Sequence, residues 1–270
     1  MALTEHDTEF NGINVHYWHG GSGFPILMIH GSGPGASTLG NWRLVLEPLA
    51  ERYRILAVDL IGFGKSGRKA AEPYFDLDLW LAQSRAMLDL LPGDELGVIG
   101  HSISGMLALR LAALDARIGK VLTTGSMGAR FQINDHTRRT WTFPETREDL
   151  RRAAESLVYD KSVITDAYLD QRMAVLHSGD YASYFRSMFA GDKQRFVDAA
   201  VLSADELRRV KSEVVMMHGR DDQPFPFEET TLAISRSVPQ ADVIALARCG
   251  HSPALEHPEK FLAAARMLFG

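Results

Sequence analysis

Leu96-Gly97-Val98-Ile99-Gly100-His101-Ser102-Ile103-Ser104-Gly105 is the stretch that decides the fold. An apolar run of strand length, 96–99, ends in a serine framed by small residues, and a helical run, 105–113, starts directly behind it. A strand that turns into a helix through a serine needs small neighbours, because the serine sits in a strained backbone conformation. The same turn places the hydroxyl at a helix N-terminus, where the dipole favours a developing anion. Ser102 is therefore a candidate nucleophile. The plain alternative is a serine that caps the helix with its side chain. The last position of the turn is Ser104 where such turns carry glycine, and serine is still small.

Short apolar runs alternate with helical patterns on both sides of this turn, which predicts an α/β fold with a mainly parallel sheet. Asn11-Gly12 between the alternating segments 8–10 and 13–18 predicts a tight hairpin at the sheet edge. Further buried strands are expected at 26–29, 55–59, 121–124, 214–218 and 243–246. Helices are expected at 77–91 and 258–268, the latter opened by Pro258 with Glu259 in its first turn. Residues 131–201 break the rhythm. They contain no convincing strand and predict helices, for example at 147–158 and 166–176. The division expected is a core of 1–130 and 202–270, with 131–201 inserted as a helical cap.

Composition narrows the function classes. The chain has 270 residues, 46% hydrophobic and 23% charged, which is enough to bury a core without disulfides or metal. Lys+Arg 29 against Asp+Glu 34 gives a net charge of −5, and no basic run offsets it, which argues against a nucleic-acid partner. The single cysteine, Cys249, excludes an internal disulfide and any Cys-rich metal site. No histidine pair has the spacing of a zinc helix, so no metal is expected. No stretch of about 20 apolar residues predicts a membrane span. The first residues, Met1-Ala2-Leu3-Thr4-Glu5-His6-Asp7, lack a basic stretch followed by an apolar one, so a cytoplasmic location is expected.

A serine nucleophile needs a base, an acid to orient that base, and donors for the oxyanion. His251, after the last predicted strand, is the candidate base, and Asp222, after the strand before it, the candidate acid. The order Ser102, Asp222, His251 is that of the α/β-hydrolases. Asp221 is the rival acid, one position too close to Gly219. His30-Gly31-Ser32-Gly33-Pro34-Gly35 follows an early strand, and the backbone N–H groups of Ser32 and Ile103 are the natural oxyanion pair. Other triplets lack this setting. Ser22 precedes no helix, and Gly62-Phe63-Gly64-Lys65-Ser66-Gly67 fails the phosphate-loop spacing because position 59 is aspartate. His30 is read as a brace for the oxyanion loop, Asp59 to Gly64 as an architectural turn, and Cys249 as apolar filler. Trp42, Trp80 and Trp141 fit either core or pocket wall.

With these residues in place, the chain resembles the α/β-hydrolase superfamily over its whole length, and within it the meta-cleavage product hydrolases. His30 to Ser37 with Asn41-Trp42-Arg43 is similar to that family's oxyanion loop and dienoate-contacting asparagine. Ile164-Thr165-Asp166 followed by Gln171-Arg172 resembles the cap helix with its substrate arginine. Arg195-Phe196-Val197-Asp198 and the run from His218 to Gln223 look most like the branch acting on 2-hydroxymuconic semialdehyde and alkyl analogues.

The resemblance implies an eight-stranded sheet and cleavage of the C5–C6 bond of a 2-hydroxy-6-oxo-hexa-2,4-dienoate without a cofactor. It also implies substrate contacts from Gly33, Asn41, His101, Arg172 and Ser252, and a homo-oligomer. Two positions depart from the family pattern: His101 stands where asparagine is common, and Ser252 where tryptophan is common. The alternatives are a carboxylesterase or lactonase with the same triad, a hydrolase-like ligand receptor, and a cofactor-free dioxygenase. For Arg172 the plain alternative is a surface arginine.

Overall fold

The computed structural model describes residues 2–270. Eight strands form one sheet: β1 Thr4–Phe10, β2 Ile13–Gly20, β3 Pro25–Ile29, β4 Arg54–Val58, β5 Leu96–His101, β6 Ile118–Thr124, β7 Glu213–Gly219 and β8 Ala241–Leu246. Their order is β1-β2-β4-β3-β5-β6-β7-β8. The pairs β1/β2 and β2/β4 are antiparallel, and all others parallel. The expected hairpin is present, with Asn11 and Gly12 both at positive φ, as a two-residue turn between right-twisted strands requires. β1 begins four residues earlier than its apolar pattern suggested. Its first residues, Thr4 to Asp7, are exposed on the outermost strand, so alternation carries no signal there.

Period-two side-chain alternation sends each central strand to two cores. Leu27, Ile29, Val98 and Met216 join the core beneath the helices Leu77–Leu88 and Ile103–Leu114. Ile26, Met28, Ile99 and Met217 join the opposite core, closed by the helices Leu46–Ala50 and Pro258–Phe269. The central parallel strands are thus buried on both faces.

Between β6 and β7, residues 131–201 form helices Asp135–Thr140, Arg147–Glu155, Asp166–Leu176, Tyr181–Met188 and Gln194–Ala199, with one 3₁₀ turn and no strand among the described residues. Local chemistry sets their starts. Asn134 and Thr146 build capping boxes, and Thr165 accepts the Tyr168 N–H. The apolar faces of this segment continue the first core through Trp141, Leu169, Phe185, Phe189 and Phe196. No helix is long and apolar enough to cross a membrane among the described residues.

Candidate active site

Four strand ends converge where the chain leaves the sheet. β5 delivers Ser102 with φ 59°, ψ −122°, a left-handed conformation that is costly for serine. The small neighbours are required: a Cβ at Gly100 would strike the Ser104 backbone, and one at Gly105 would lie 2.5 Å from Ser126 Oγ. Ser102 holds the cap position of its helix but makes no side-chain capping bond. Its hydroxyl lines a cavity instead. Ser104 is fully buried, and its hydroxyl donates to the His30 carbonyl at 2.5 Å. The serine at the end of the turn thereby ties β5 to the loop after β3.

β8 leads to His251 and β7 to Asp222, both buried. His251 Nδ1 lies 2.7 Å from Asp222 Oδ2. A carboxylate can only accept, so the proton sits on Nδ1 and Nε2 remains an acceptor. Asp222 Oδ1 takes the Phe225 N–H at 3.0 Å, and Oδ2 also receives His218 Nε2 at 2.9 Å. Burial works to raise the Asp222 carboxyl, but the adjacent His251 and the bonds from both histidines outweigh it and hold the group well below its ordinary value. Asp221 is exposed, and its carboxylate faces the Cys249 N–H at 3.4 Å, away from His251.

The loop after β3 is braced from beneath. His30 Nδ1 lies 2.6 Å from the Gly31 carbonyl, and Nε2 accepts the Leu60 N–H at 3.0 Å. Both ring nitrogens are engaged and burial lowers the pKa, so the ring is a neutral strut. Asp59 accepts the Thr38 and Lys65 N–H groups, which fixes the neighbouring turn. Among the described residues, the N–H groups of Ser32 and Ile103 have no acceptor in the chain. Asn41 Oδ1 accepts the Gly31 N–H at 3.1 Å, leaving its amide nitrogen to donate elsewhere.

The helical segment closes over these loops. Trp141 Nε1 donates to Ser32 Oγ at 3.1 Å, and Tyr181 Oη accepts the Gly35 N–H at 2.6 Å. Burial pushes the Tyr181 phenol up to about 12, so it stays neutral. On the other side, His251 N–H donates to the Leu157 carbonyl at 2.8 Å. Glu256 bridges the same junction, accepting the Gly250 N–H at 2.8 Å and the Tyr159 N–H at 2.7 Å.

Arg172 reaches the cavity from helix Asp166–Leu176. Its guanidinium lies against Gly35 and Gly40, and its buried Nε has no hydrogen-bond partner. It is a half-buried donor with no carboxylate in reach among the described residues. By contrast, Arg138, Arg147, Arg151, Arg152 and Arg186 of this segment pair with acids, and Arg139 contacts His136.

The cavity wall also includes Gly33, Asn41, His101 and Ser252. Of the sequence candidates, Ile103 and Asp222 stand behind the wall, and the others face into it. Trp42, Trp80 and Trp141 are all buried and none lines the cavity. Three contributors went unassigned in the sequence. His218 was only the first residue of a motif, and Trp141 and Tyr181 act across 109 and 146 residues, so no local pattern marks them.

A model of the "Alpha/beta hydrolase family" matches residues 26–265. The chain belongs to that family. It is 32% identical over 251 residues to a 2-hydroxymuconate semialdehyde hydrolase of Pseudomonas sp. (strain CF600), covering 93% of this chain and 88% of the relative. It is 30% identical over 252 residues to a 2-hydroxy-6-oxo-2,4-heptadienoate hydrolase of Pseudomonas putida F1, covering 93% and 91%. The solved meta-cleavage product hydrolase CumD from Pseudomonas fluorescens IP01 superposes with a TM-score of 0.89 at 29% identity, covering 94% and 93%. Within the α/β-hydrolases, the chain therefore groups with the meta-cleavage product hydrolases.

Proposed function

We propose that this α/β-hydrolase cleaves the C5–C6 bond of a 2-hydroxy-6-oxo-hexa-2,4-dienoate, giving 2-hydroxypenta-2,4-dienoate and a carboxylic acid. The observation that carries the reading is the unpaired Arg172 guanidinium in the same cavity as Ser102 and His251. A half-buried cation at a cavity wall with no counterion in the chain favours an anionic ligand, and a planar guanidinium matches a carboxylate. Simple ester hydrolysis has no use for it.

The chemistry follows from where electrons must go. Carbon leaves poorly unless its electron pair is delocalised. A proton added at C5 makes the 2-oxo tautomer, so the pair released from the C5–C6 bond flows through C3–C4 to the C2 oxygen. Arg172 and the free amide of Asn41 would bind that end and favour the charge as it forms. Ser102 would give its proton to His251 and attack C6, with the Ser32 and Ile103 N–H groups holding the oxyanion. Asp222 fixes the imidazole tautomer and stabilises its cation. Water then cleaves the acyl-serine to the acid. Residues 131–201 serve as the cap that brings Arg172 over the nucleophile. A cytoplasmic homo-oligomer is the setting in which we read this activity.

The test is a turnover panel. Dienoates with hydrogen, alkyl or aryl at C6 are run beside p-nitrophenyl esters. Dienoates are expected to have the higher kcat/KM. Efficient ester turnover with inert dienoates would replace this reading with a carboxylesterase.

A further inference from the structure

One oxygen, Asp222 Oδ2, serves two imidazoles. His251 Nδ1 lies 2.7 Å from it and His218 Nε2 2.9 Å, and all three residues are buried. A serine triad needs only the first of these contacts. The second has a scaffold of its own. His218 stands next to last in β7, four residues before Asp222, and its Nε2 also lies 2.9 Å from the Phe225 carbonyl. A carbonyl and a carboxylate can only accept, so Nε2 carries a hydrogen that the two share. Nδ1 lies 2.7 Å from the hydroxyl of Thr231, which is fully buried and fixes the ring from the far side.

Phe225 closes the arrangement. Its N–H donates to Asp222 Oδ1 at 3.0 Å, and its ring stacks on His251 with centroids 4.5 Å apart. The residue whose carbonyl His218 engages is therefore the one that holds the acid and covers the base. An imidazolium at His251 is stabilised by the charge that Asp222 Oδ2 still has to offer. A second N–H on that oxygen takes a share of it and weakens His251 as a base.

Other titratable groups around these rings do not supply that effect. Burial first, and then His251, push His101 well below its ordinary value, and burial raises the Cys249 thiol. Asp221 faces the Cys249 N–H, and Glu256 accepts the Gly250 and Tyr159 N–H groups. The helix Thr231–Ser235 presents the Thr231 hydroxyl, and Phe227 packs on the His218 ring.

We infer that His218 is a positioning residue for the triad: it holds the Asp222 carboxylate from behind and shares the oxygen that backs His251, so that His251 stays free of a proton to lower pH. This rests on the reading of His251 as the base, and it holds for a dienoate or an ester substrate alike. No covalent step is involved.

The test compares two amides of different reach. His218→Gln can place an N–H where Nε2 stood, whereas His218→Asn reaches only the Nδ1 position and leaves Asp222 Oδ2 to His251. The His251 ring is titrated by NMR in the Ser102→Ala background, and the acidic limb of kcat/KM is measured with Ser102 present. In His218→Asn both midpoints should move up by about one pH unit, so kcat/KM well below the limb falls about tenfold further than on the plateau. His218→Gln should stay near the wild-type midpoint. His218→Leu repeats the asparagine arm without a polar group, and urea midpoints verify that each variant folds.

A loss of stability or rate with midpoints unmoved would make His218 a structural residue and overturn the inference. Equal upward shifts in His218→Asn and His218→Gln, or a downward shift in either, would also overturn it. A wild-type rate profile that stays flat through the His251 titration removes His251 as the base, and this inference with it. The NMR arm shows which of the two has failed.

Discussion

The loops at the strand ends and the helices of residues 131–201 face one cavity but are built in different ways. The loops are held by buried polar bonds: His30 between Gly31 and Leu60, Asp222 between Phe225, His218 and His251. The helices reach the loops through buried bonds, including those from Trp141 and Tyr181, and carry their ion pairs on the surface, as in Arg147 with Asp166 and Asp170 and Arg151 with Asp166. Surface pairs of this kind contribute little. The difference assigns the work. On the proposed reading, the bond-making atoms would sit on the sheet edge, and the group that reads the substrate on the inserted segment.

The largest effect should come from the sheet side. Ser102→Ala is expected to cost about six orders of magnitude in turnover while leaving binding intact. Rates of every substrate should fall together, measured against a background of uncatalysed hydrolysis. Residual activity within about tenfold of wild type would assign the nucleophile elsewhere.

Asp222→Asn comes next, with an expected loss of about ten-thousandfold in kcat, because an amide can impose the wrong imidazole tautomer. Asp221→Asn should cost little, since its carboxylate faces the Cys249 N–H. Asp222 also couples to stability. Its carboxyl is held below its ordinary value of 3.8 in the folded protein. A depressed carboxyl stabilises the fold above its unfolded pKa and loses that contribution as pH falls through its folded one. Urea midpoints should therefore separate wild type from Asp222→Asn at neutral pH, and the gap should narrow progressively below about pH 4. A gap that widened in acid would contradict the assigned direction.

On the helical side, Arg172→Ala and Arg172→Lys should lower kcat on a dienoate by at least about a hundredfold, equivalent to some 2.7 kcal/mol. On the proposed mechanism the guanidinium would face charge that grows only as the carbon–carbon bond breaks. A small p-nitrophenyl ester develops its charge in the oxyanion site alone, and its rate should change by less than about fivefold. Equal losses on both would erase the division between the two regions, and no loss on either would end the dienoate reading.

The same division explains what was legible. The parallel strands and the order Ser102, Asp222, His251 were readable because each strand is a short apolar run ended by a chemically distinct loop. The helix Asp166–Leu176 has the bounds expected from the sequence, and Thr165 caps its start. The outer half of β1 was not, because an exposed edge strand carries Glu5 and Asp7 where an alternation would need apolar residues. His218 was hidden for another reason. Its ring turns inward to Asp222 and Thr231, a packing outcome that spacing alone does not encode.

The smallest effect concerns the bond by which the helical segment touches Ser32 in the loop after β3. Trp141 Nε1 donates to Ser32 Oγ at 3.1 Å, while the ring is buried against Phe189, Phe196 and Phe225. Trp141→Phe keeps an aromatic ring there and deletes the donor. A neutral hydrogen bond is worth about 1 kcal/mol, so a loss of about fivefold in kcat is expected. The proposed donor nearby is the Ser32 backbone N–H, which serves any carbonyl substrate. The loss should therefore be the same for dienoates and small esters, with KM nearly constant. That pattern is the opposite of the one expected for Arg172, although both residues belong to the segment. Ser32→Ala in the same background should add little, because both changes remove one bond. A Trp141→Phe loss confined to dienoates would make Trp141 a substrate contact and return the oxyanion loop entirely to the sheet.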